Sequence, residues 1–109
     1  MGTNFFLPEN HILAQGMTED QRHVGKASAG WKFLFQSHPH IVCLDGWKAL
    51  LNKVGEVETE YGEIRPLDDF WKMVEETQSL RTHKGYVQHG PEWVHEDRGG
   101  YEFGHRPFF

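Results

Sequence analysis

Apolar residues recur with two different periods along this chain of 109 residues, and these periods limit the fold class. Every second residue from Trp31 to Phe35 is aromatic, which is the period of a β-strand with one buried face. From Leu44 to Val54 the apolar residues instead recur at helical spacing, and residues 67–78 show the same pattern. The chain therefore combines strands with two amphipathic helices.

Turn and stop residues divide the chain into short segments. Pro8 ends the first strand, Gly55 follows the first helix as a C-terminal stop, and Asp45 is the expected N-cap of that helix. Because short turns connect most neighbouring strands, we predict an α+β fold, one domain over residues 1–109, with a mostly antiparallel sheet and two helices packed on it. The predicted strands are 4–7, 23–28, 30–37, a hairpin over 57–64, 86–87, and a hairpin made by 92–95 and 101–103; the predicted helices are 44–54 and 67–78.

The core is expected to rely on large rings, because 14% of the residues are aromatic. Trp47 and Trp71 lie on the apolar stripes of the two helices, so we expect both to be buried. The single cysteine, Cys43, excludes an intramolecular disulfide and is expected to be buried near the start of the first helix. The sequence has no apolar run of about 20 residues and no signal-like N-terminus, so we expect a cytoplasmic protein without a membrane span.

The negative charge is concentrated in one region. Residues 56–76 hold eight acids and two bases, a net charge of −6, whereas the whole chain carries −5. Direct nucleic-acid binding through this region is not expected, since phosphate requires a positive surface. The region is either a solvated hairpin and helix face or a surface for a basic partner, with glutamates in a row about 7 Å apart along a strand. The candidate partner-binding residues are Glu56, Glu58, Glu60, Glu63, Asp68 and Asp69.

The stretch from His23 to Trp31 places a histidine, a lysine and a hydroxyl group among small residues. Small residues let backbones approach closely, so one interpretation of this stretch is packing. The other is a ligand-binding or catalytic site that uses His23, Lys26, Ser28 and Trp31. Lys26 and Ser28 share a face of the predicted strand, whereas His23 points to the opposite face unless the chain bends at Gly25.

The chain contains eight histidines, which raises the question of a metal site. His38 and His40 are spaced to point to the same side of an extended segment, an arrangement that suits a metal ion. His11 and His23 could complete a zinc site with them. The alternative is that these histidines lie exposed in turns and bind nothing. Zinc is therefore the one candidate cofactor, and none is firmly expected.

Four segments follow one another in a distinctive order: Gly2–Phe6, His23–Trp31, Leu44–Trp47 and Glu60–Gly62. In sequence and spacing they resemble a family of small phage and prophage proteins. The resemblance implies a phage origin and a shared fold, and it implies no activity. Members of that family usually carry a Cys-x-x-Cys pair before the histidine block, which suggests a zinc site there. The matching stretch of this chain, residues 10–13, offers only His11.

These observations lead to three hypotheses about function. We expect a phage-encoded accessory protein that binds a host macromolecule in the bacterial cell, a host-defence or nucleic-acid-handling protein with a basic surface, through the acidic region. The alternative is a small histidine- or metal-dependent enzyme acting on nucleotides or nucleic acid, with His23, Lys26 and Ser28 in its site. The third is a module that forms a homodimer through its aromatic C-terminus, Phe108 and Phe109.

Overall fold

The computed structural model describes residues 2–8, 22–39, 41–83 and 94–105. Within these residues the chain forms a sheet of seven strands and two α-helices, which confirms the predicted α+β class. Neither helix in this part of the chain is long and apolar enough to span a membrane. The strands are β1 (Gly2–Phe6), β2 (His23–Ser28), β3 (Leu34–Gln36), β4 (Glu56–Thr59), β5 (Ile64–Pro66), β6 (Val94–Glu96) and β7 (Glu102–Gly104); the helices are α1 (Leu44–Val54) and α2 (Leu67–Glu76), and a 3₁₀ turn, Thr77–Ser79, follows α2.

The strand order across the sheet is β5-β4-β1-β2-β3-β7-β6. Neighbouring strands run antiparallel, except that β3 and β7 run parallel. The strands β1, β2 and β3 therefore lie inside the sheet, and β5 and β6 lie at its edges. All of β3 is buried, so this strand is covered on both faces.

The boundaries of β2 and α1 agree with the predicted ones, whereas those of the other described elements differ by one or more residues. The strand predicted over 30–37 is limited to β3, because the backbone before it bonds to other partners. The N–H of Lys32 donates to the carbonyl of Arg81, and the N–H of Phe33 donates to Oγ1 of Thr77, both at 2.9 Å. The helix predicted over 67–78 ends in the 3₁₀ turn. The strand predicted over 86–87 lies outside the described residues.

Aromatic side chains of the sheet and of α2 form the centre of the core. The ring centroid of Phe33 lies 4.7 Å from that of Phe35, 5.4 Å from that of Phe70 and 5.9 Å from that of Phe5. These rings are tilted or perpendicular to one another, which is the arrangement that the charge distribution of aromatic rings favours. Residues of α1 belong to the same buried cluster, so both helices share one core with the sheet.

The two helix tryptophans differ in how far they enter this core. Trp47 is fully buried, and its indole N–H donates to the main-chain oxygen of Gln36 at 3.1 Å. Trp71 is only half-buried; it packs on Phe70 with 5.0 Å between centroids, and the ammonium of Lys48 lies 5.7 Å from its ring. The expectation of burial is confirmed for Trp47 and holds only in part for Trp71, because one side of the Trp71 ring meets a lysine.

The ends of α1 are set by Asp97 and Gly55. The first amide of the helix, that of Leu44, donates to Oδ2 of Asp97 at 2.8 Å, so a carboxylate from the β6–β7 hairpin satisfies it. The predicted N-cap, Asp45, is wrong: the N-cap is Cys43, which is half-buried, and Asp45 lies in the first turn. Gly55 has a φ of 88°, a conformation that favours glycine, and it ends the helix as predicted.

Replacing Trp47 with Ala removes a fully buried ring and the hydrogen bond that its indole N–H donates to the carbonyl of Gln36. We expect the free energy of unfolding to fall by about 3–5 kcal/mol. Trp71→Ala is the matched control on the other helix and should cost about half as much, because that ring is already partly hydrated. Urea denaturation measures both values, and equal losses would contradict the difference in burial.

Candidate functional site

A β-bulge decides which way His23 points. Consecutive residues of β1 lie opposite Gly25 and His23, so β2 contains one extra residue at this place. Asn4 lies opposite Lys26, and its side chain also reaches His23. His23 and Lys26 therefore lie on the same face of the sheet. The sequence places His23 opposite to Lys26 unless the chain bends at Gly25, and the bulge next to Gly25 is the exception that applies here.

The ring of His23 is held between two side-chain amides. Its Nε2 lies 2.9 Å from Oδ1 of Asn4, and its Nδ1 lies 3.2 Å from Oε1 of Gln36. The amide nitrogens point elsewhere: that of Gln36 donates to the carbonyl of Gly104 at 3.2 Å, and that of Asn4 donates to Oε1 of Glu60 at 3.3 Å. The side chains of Asn4, His23 and Gln36 are all buried. The network therefore links β1, β2, β3 and β7 through hydrogen bonds.

Burial lowers the pKa of His23 to about 4, and the hydrogen bond to Gln36 opposes that shift only in part. The ring is therefore neutral at pH 7 and carries one N–H. A neutral imidazole donates from one nitrogen, yet both nitrogens of His23 face amide oxygens. Both ring nitrogens thus face side chains of the sheet, whereas a general base needs a nitrogen within reach of its substrate. These contacts favour a structural role for His23 over that of a general base.

Within the His23–Trp31 block, Gly25 occupies a position where two strands pack closely. Gly25 lies so close to Leu34 that a side chain at this position would not fit. Lys26 and Ser28 are half-buried and share a face of β2, as predicted. The first half of the block therefore fits the packing interpretation, which needs small residues where strands meet.

Trp31 lies beyond the end of β2 and has contacts of its own. Its ring stacks on that of His83 with 5.0 Å between centroids, and the guanidinium carbon of Arg81 lies 4.9 Å from the Trp31 ring centre. The backbone of Trp31 also forms a bridge with Arg81. Trp31 thus fastens the segment after α2 to the sheet.

Of the predicted zinc ligands, the structure describes His23 and His38, and these two do not belong to a group that could hold a metal ion. Nε2 of His38 lies 3.0 Å from the main-chain oxygen of His23, and the His38 ring packs edge-on against Trp47. His11 and His40 lie outside the described residues. Within 2–8, 22–39, 41–83 and 94–105, no three histidine, cysteine, aspartate or glutamate side chains come together in a group that could hold a metal ion. The described residues therefore lend no support to this zinc site.

The acidic residues gather at one side of the molecule, because β4, β5 and α2 pack against one another. All three residues of β5 are exposed at the edge of the sheet. We call this surface the acidic edge. Its carboxylates are those of Glu56, Glu58, Glu60, Glu63, Asp68, Asp69, Glu75 and Glu76.

Some of these carboxylates also hold the fold. Glu58 forms an ion pair with Arg22 at 3.6 Å, and Oε1 of Glu60 accepts a hydrogen bond from the backbone N–H of Asn4 at 2.7 Å. Glu56 has no such contact among the described residues. The row predicted from strand periodicity therefore contains two members that are already engaged.

Among the described residues, two further carboxylates have partners and three have no basic partner. Glu63 lies 3.4 Å from Arg65 in an exposed pair. Glu75 accepts a hydrogen bond from the hydroxyl of Tyr101, and this contact raises the pKa of Tyr101 to about 12. In the described part of the chain, no lysine or arginine pairs with the remaining carboxylates of α2, which are Asp68, Asp69 and Glu76.

A groove runs along the acidic edge. Two clefts of about 340 and 580 Å³ share part of their lining and so form one continuous depression. Glu63, Arg65 and Asp69 line one end, and Ser28 and Leu80 line the other. The shared lining consists of Thr3, Ala27, Tyr61 and Met73.

Tyr61 in the wall of the groove is the site residue that sequence periodicity misplaces. Alternation in the hairpin places Val57, Thr59 and Tyr61 on one face. Val57 and Thr59 are buried, but Tyr61 is 71% exposed. The reason is that Tyr61 lies in the turn, where the N–H of Gly62 donates to the carbonyl of Thr59 at 2.9 Å. The Glu-Tyr-Gly-Glu sequence predicts the tip of the hairpin at residues 60–63, and the structure confirms this, because β4 ends at Thr59 and β5 begins at Ile64.

In comparisons with known proteins, no family model, no curated protein and no solved structure matches this chain. The resemblance to small phage proteins therefore stays a prediction. Inference about function has to rest on the geometry described above.

The low pKa of His23 predicts that the protein loses stability in mild acid. In the unfolded chain the ring takes up a proton near pH 6.5, and in the folded protein only near pH 4. Between these values the unfolded state binds more protons, so this contribution is complete above pH 6.5 and is lost as the pH falls towards 4. The loss should amount to about 3 kcal/mol.

The matched variant is His23→Gln, which keeps a donor and an acceptor but does not titrate. Its unfolding free energy should depend less on pH between 6.5 and 4 than that of the wild type. The comparison needs both proteins, because burial and His95 also lower the pKa of His105. NMR titration of the His23 ring is the direct check, and a pKa near 6.5 would refute the argument.

Proposed function

We propose that this protein is a non-enzymatic binding protein that captures a partner protein with a basic surface through the acidic edge. The observation that carries the proposal is the combination, on one exposed surface, of exposed apolar side chains and of carboxylates that pair with no lysine or arginine in the described part of the chain. Asp68 and Asp69 supply the charge, while Tyr61 is 71% exposed and Ile64 is 49% exposed beside them.

In the unbound protein, both the unpaired charges and the exposed apolar side chains of this surface cost free energy. Unpaired carboxylates on neighbouring elements repel one another, and exposed rings lose the free energy that burial would supply. A partner with basic side chains and an apolar contact relieves both costs at once. Protein interfaces have this composition, with an aromatic residue at the centre and a polar rim. The groove beside Tyr61 offers the concave surface that such a contact requires.

The chemistry favours a protein over a nucleic acid as the partner. Residues 56–76 carry a net charge of −6, and a surface with such a net negative charge repels phosphate groups. If the phage resemblance holds, the partner is a host protein. The homodimer and the enzyme with His23, Lys26 and Ser28 stay predictions, and no contact described above favours either.

The double variant Asp68→Asn/Asp69→Asn tests the proposal without disturbing the carboxylates that hold the fold. Its matched control is Asp45→Asn, because Asp45 is also an exposed aspartate in the first turn of a helix. The probe is a fluorescently labelled octalysine peptide, and binding is followed by anisotropy. We expect the double variant to bind about tenfold more weakly and the control to bind like the wild type.

Salt dependence and the aromatic contact provide the second half of the test. Wild-type affinity should fall steeply between about 50 and 200 mM salt, as expected for exposed charges. Tyr61→Ala should weaken capture of a peptide that alternates lysine with leucine more than it weakens capture of octalysine. Equal binding by the wild type, the double variant and the control would show that the acidic edge is only a solvated face.

A further inference from the structure

His95 and His105 bring two ring nitrogens together at the opposite edge of the sheet. His95 lies on the edge strand β6, and His105 follows directly after β7. Nδ1 of His95 lies 2.7 Å from Nε2 of His105, and the two rings stack with 4.5 Å between centroids. His95 also stacks on Phe103, its cross-strand neighbour, at 5.3 Å. One ring of the pair therefore lies on a strand, and the other directly follows one.

The contacts of His95 fix which of its nitrogens carries hydrogen. Its Nε2 lies 2.8 Å from the main-chain oxygen of Val42, and a carbonyl oxygen can only accept. Nε2 therefore carries the hydrogen, and Nδ1 presents a lone pair to His105. Without a metal ion, the short contact requires a hydrogen on Nε2 of His105. The N–H of His105 thus donates to the lone pair of Nδ1 of His95.

We propose that His95 and His105 form a binding site for a divalent transition-metal ion, with Cu²⁺ as the best fit. The metal takes the place of the hydrogen between Nδ1 of His95 and Nε2 of His105, and water completes its coordination. His105 remains neutral, because its single ring hydrogen moves to Nδ1 by exchange with solvent. Imidazole nitrogen is a ligand that Cu²⁺, Ni²⁺ and Zn²⁺ all accept.

The spacing of the two nitrogens favours one metal geometry. With metal–nitrogen bonds of about 2.0 Å, adjacent ligands of a square-planar ion lie about 2.8 Å apart, and those of a tetrahedral ion about 3.3 Å apart. The observed distance is 2.7 Å, which is closer to the square-planar value. Square-planar coordination is typical of Cu²⁺, which is also the divalent ion of the first transition row that nitrogen ligands bind most tightly.

The contact with Val42 is the second feature of a metal site. Histidine ligands generally donate their other ring N–H to a carbonyl or carboxylate, which fixes the ring and its tautomer. His95 already has this arrangement without a metal ion. Because one ring is preset and only His105 needs to change its tautomer, little reorganisation opposes binding. The site is separate from the acidic edge, so the proposal does not depend on the proposed function.

Copper titration of the protein without a histidine tag tests this site, with CuCl₂ as the probe and calorimetry as the readout. We expect one Cu²⁺ per chain at this site, and a loss of affinity of about tenfold or more in His95→Ala and in His105→Ala. His83→Ala is the matched control, because His83 also lies within reach of a main-chain carbonyl, that of Lys32, while its ring stacks on Trp31. The control should bind Cu²⁺ within about twofold of the wild type.

A measurement on the wild type keeps the test independent of variant folding. Paramagnetic Cu²⁺ should broaden the NMR signals of residues 94–96 and 103–105 first, at less than one equivalent. Bound Cu²⁺ should also raise the melting temperature of the wild type and not that of either alanine variant. Broadening that starts elsewhere in the chain, or variants that bind as tightly as the wild type, would overturn the proposal.

Discussion

The close approach of β3 to β2 at Gly25 is the contact on which the rest of the sheet depends. A Cβ atom at Gly25 would lie 2.4 Å from the carbonyl oxygen of Leu34 and 2.5 Å from the ring of Phe33. Real side chains do not approach that closely, so only glycine fits. The space lets Phe33 lie across the strand, where it meets Phe5 and Phe70. On the other face, the same strand carries the hydrogen-bonded network of His23.

Elements with local signals could be predicted from the sequence, and contacts between distant segments could not. The bounds of α1 follow from its apolar spacing and from Gly55, because both act within a few residues. The parallel pairing of β3 with β7 joins Gln36 to Gly104, which are 68 residues apart, and no local pattern reports it. The same is true of Asp97, which reaches the first turn of α1 from another hairpin.

For the candidate sites too, local features can be predicted from the sequence and contacts between distant segments cannot. The charge of residues 56–76 can be counted in the sequence, but the sequence does not show that Glu58 and Glu60 are engaged by Arg22 and Asn4. Among the described residues, no lysine or arginine pairs with Glu56, Asp68, Asp69 or Glu76 of this region. The orientation of His23 depends on a bulge, which no alternation pattern reports. The network of His23 thus lies inside the sheet, and the two proposed binding surfaces lie at its edges.

The most direct test of this account compares two glycine-to-alanine variants. Gly25→Ala should lower the free energy of unfolding by about 1–3 kcal/mol, because the added methyl group has no space between β2 and β3. Gly46→Ala places the same methyl group in α1, where the nearest atom is a side-chain carbon of Ile41 at 3.2 Å. The gain in helix propensity there, about 1 kcal/mol, should leave stability unchanged or higher. If Gly25→Ala unfolds at the same urea concentration as the wild type, the sheet does not depend on this contact.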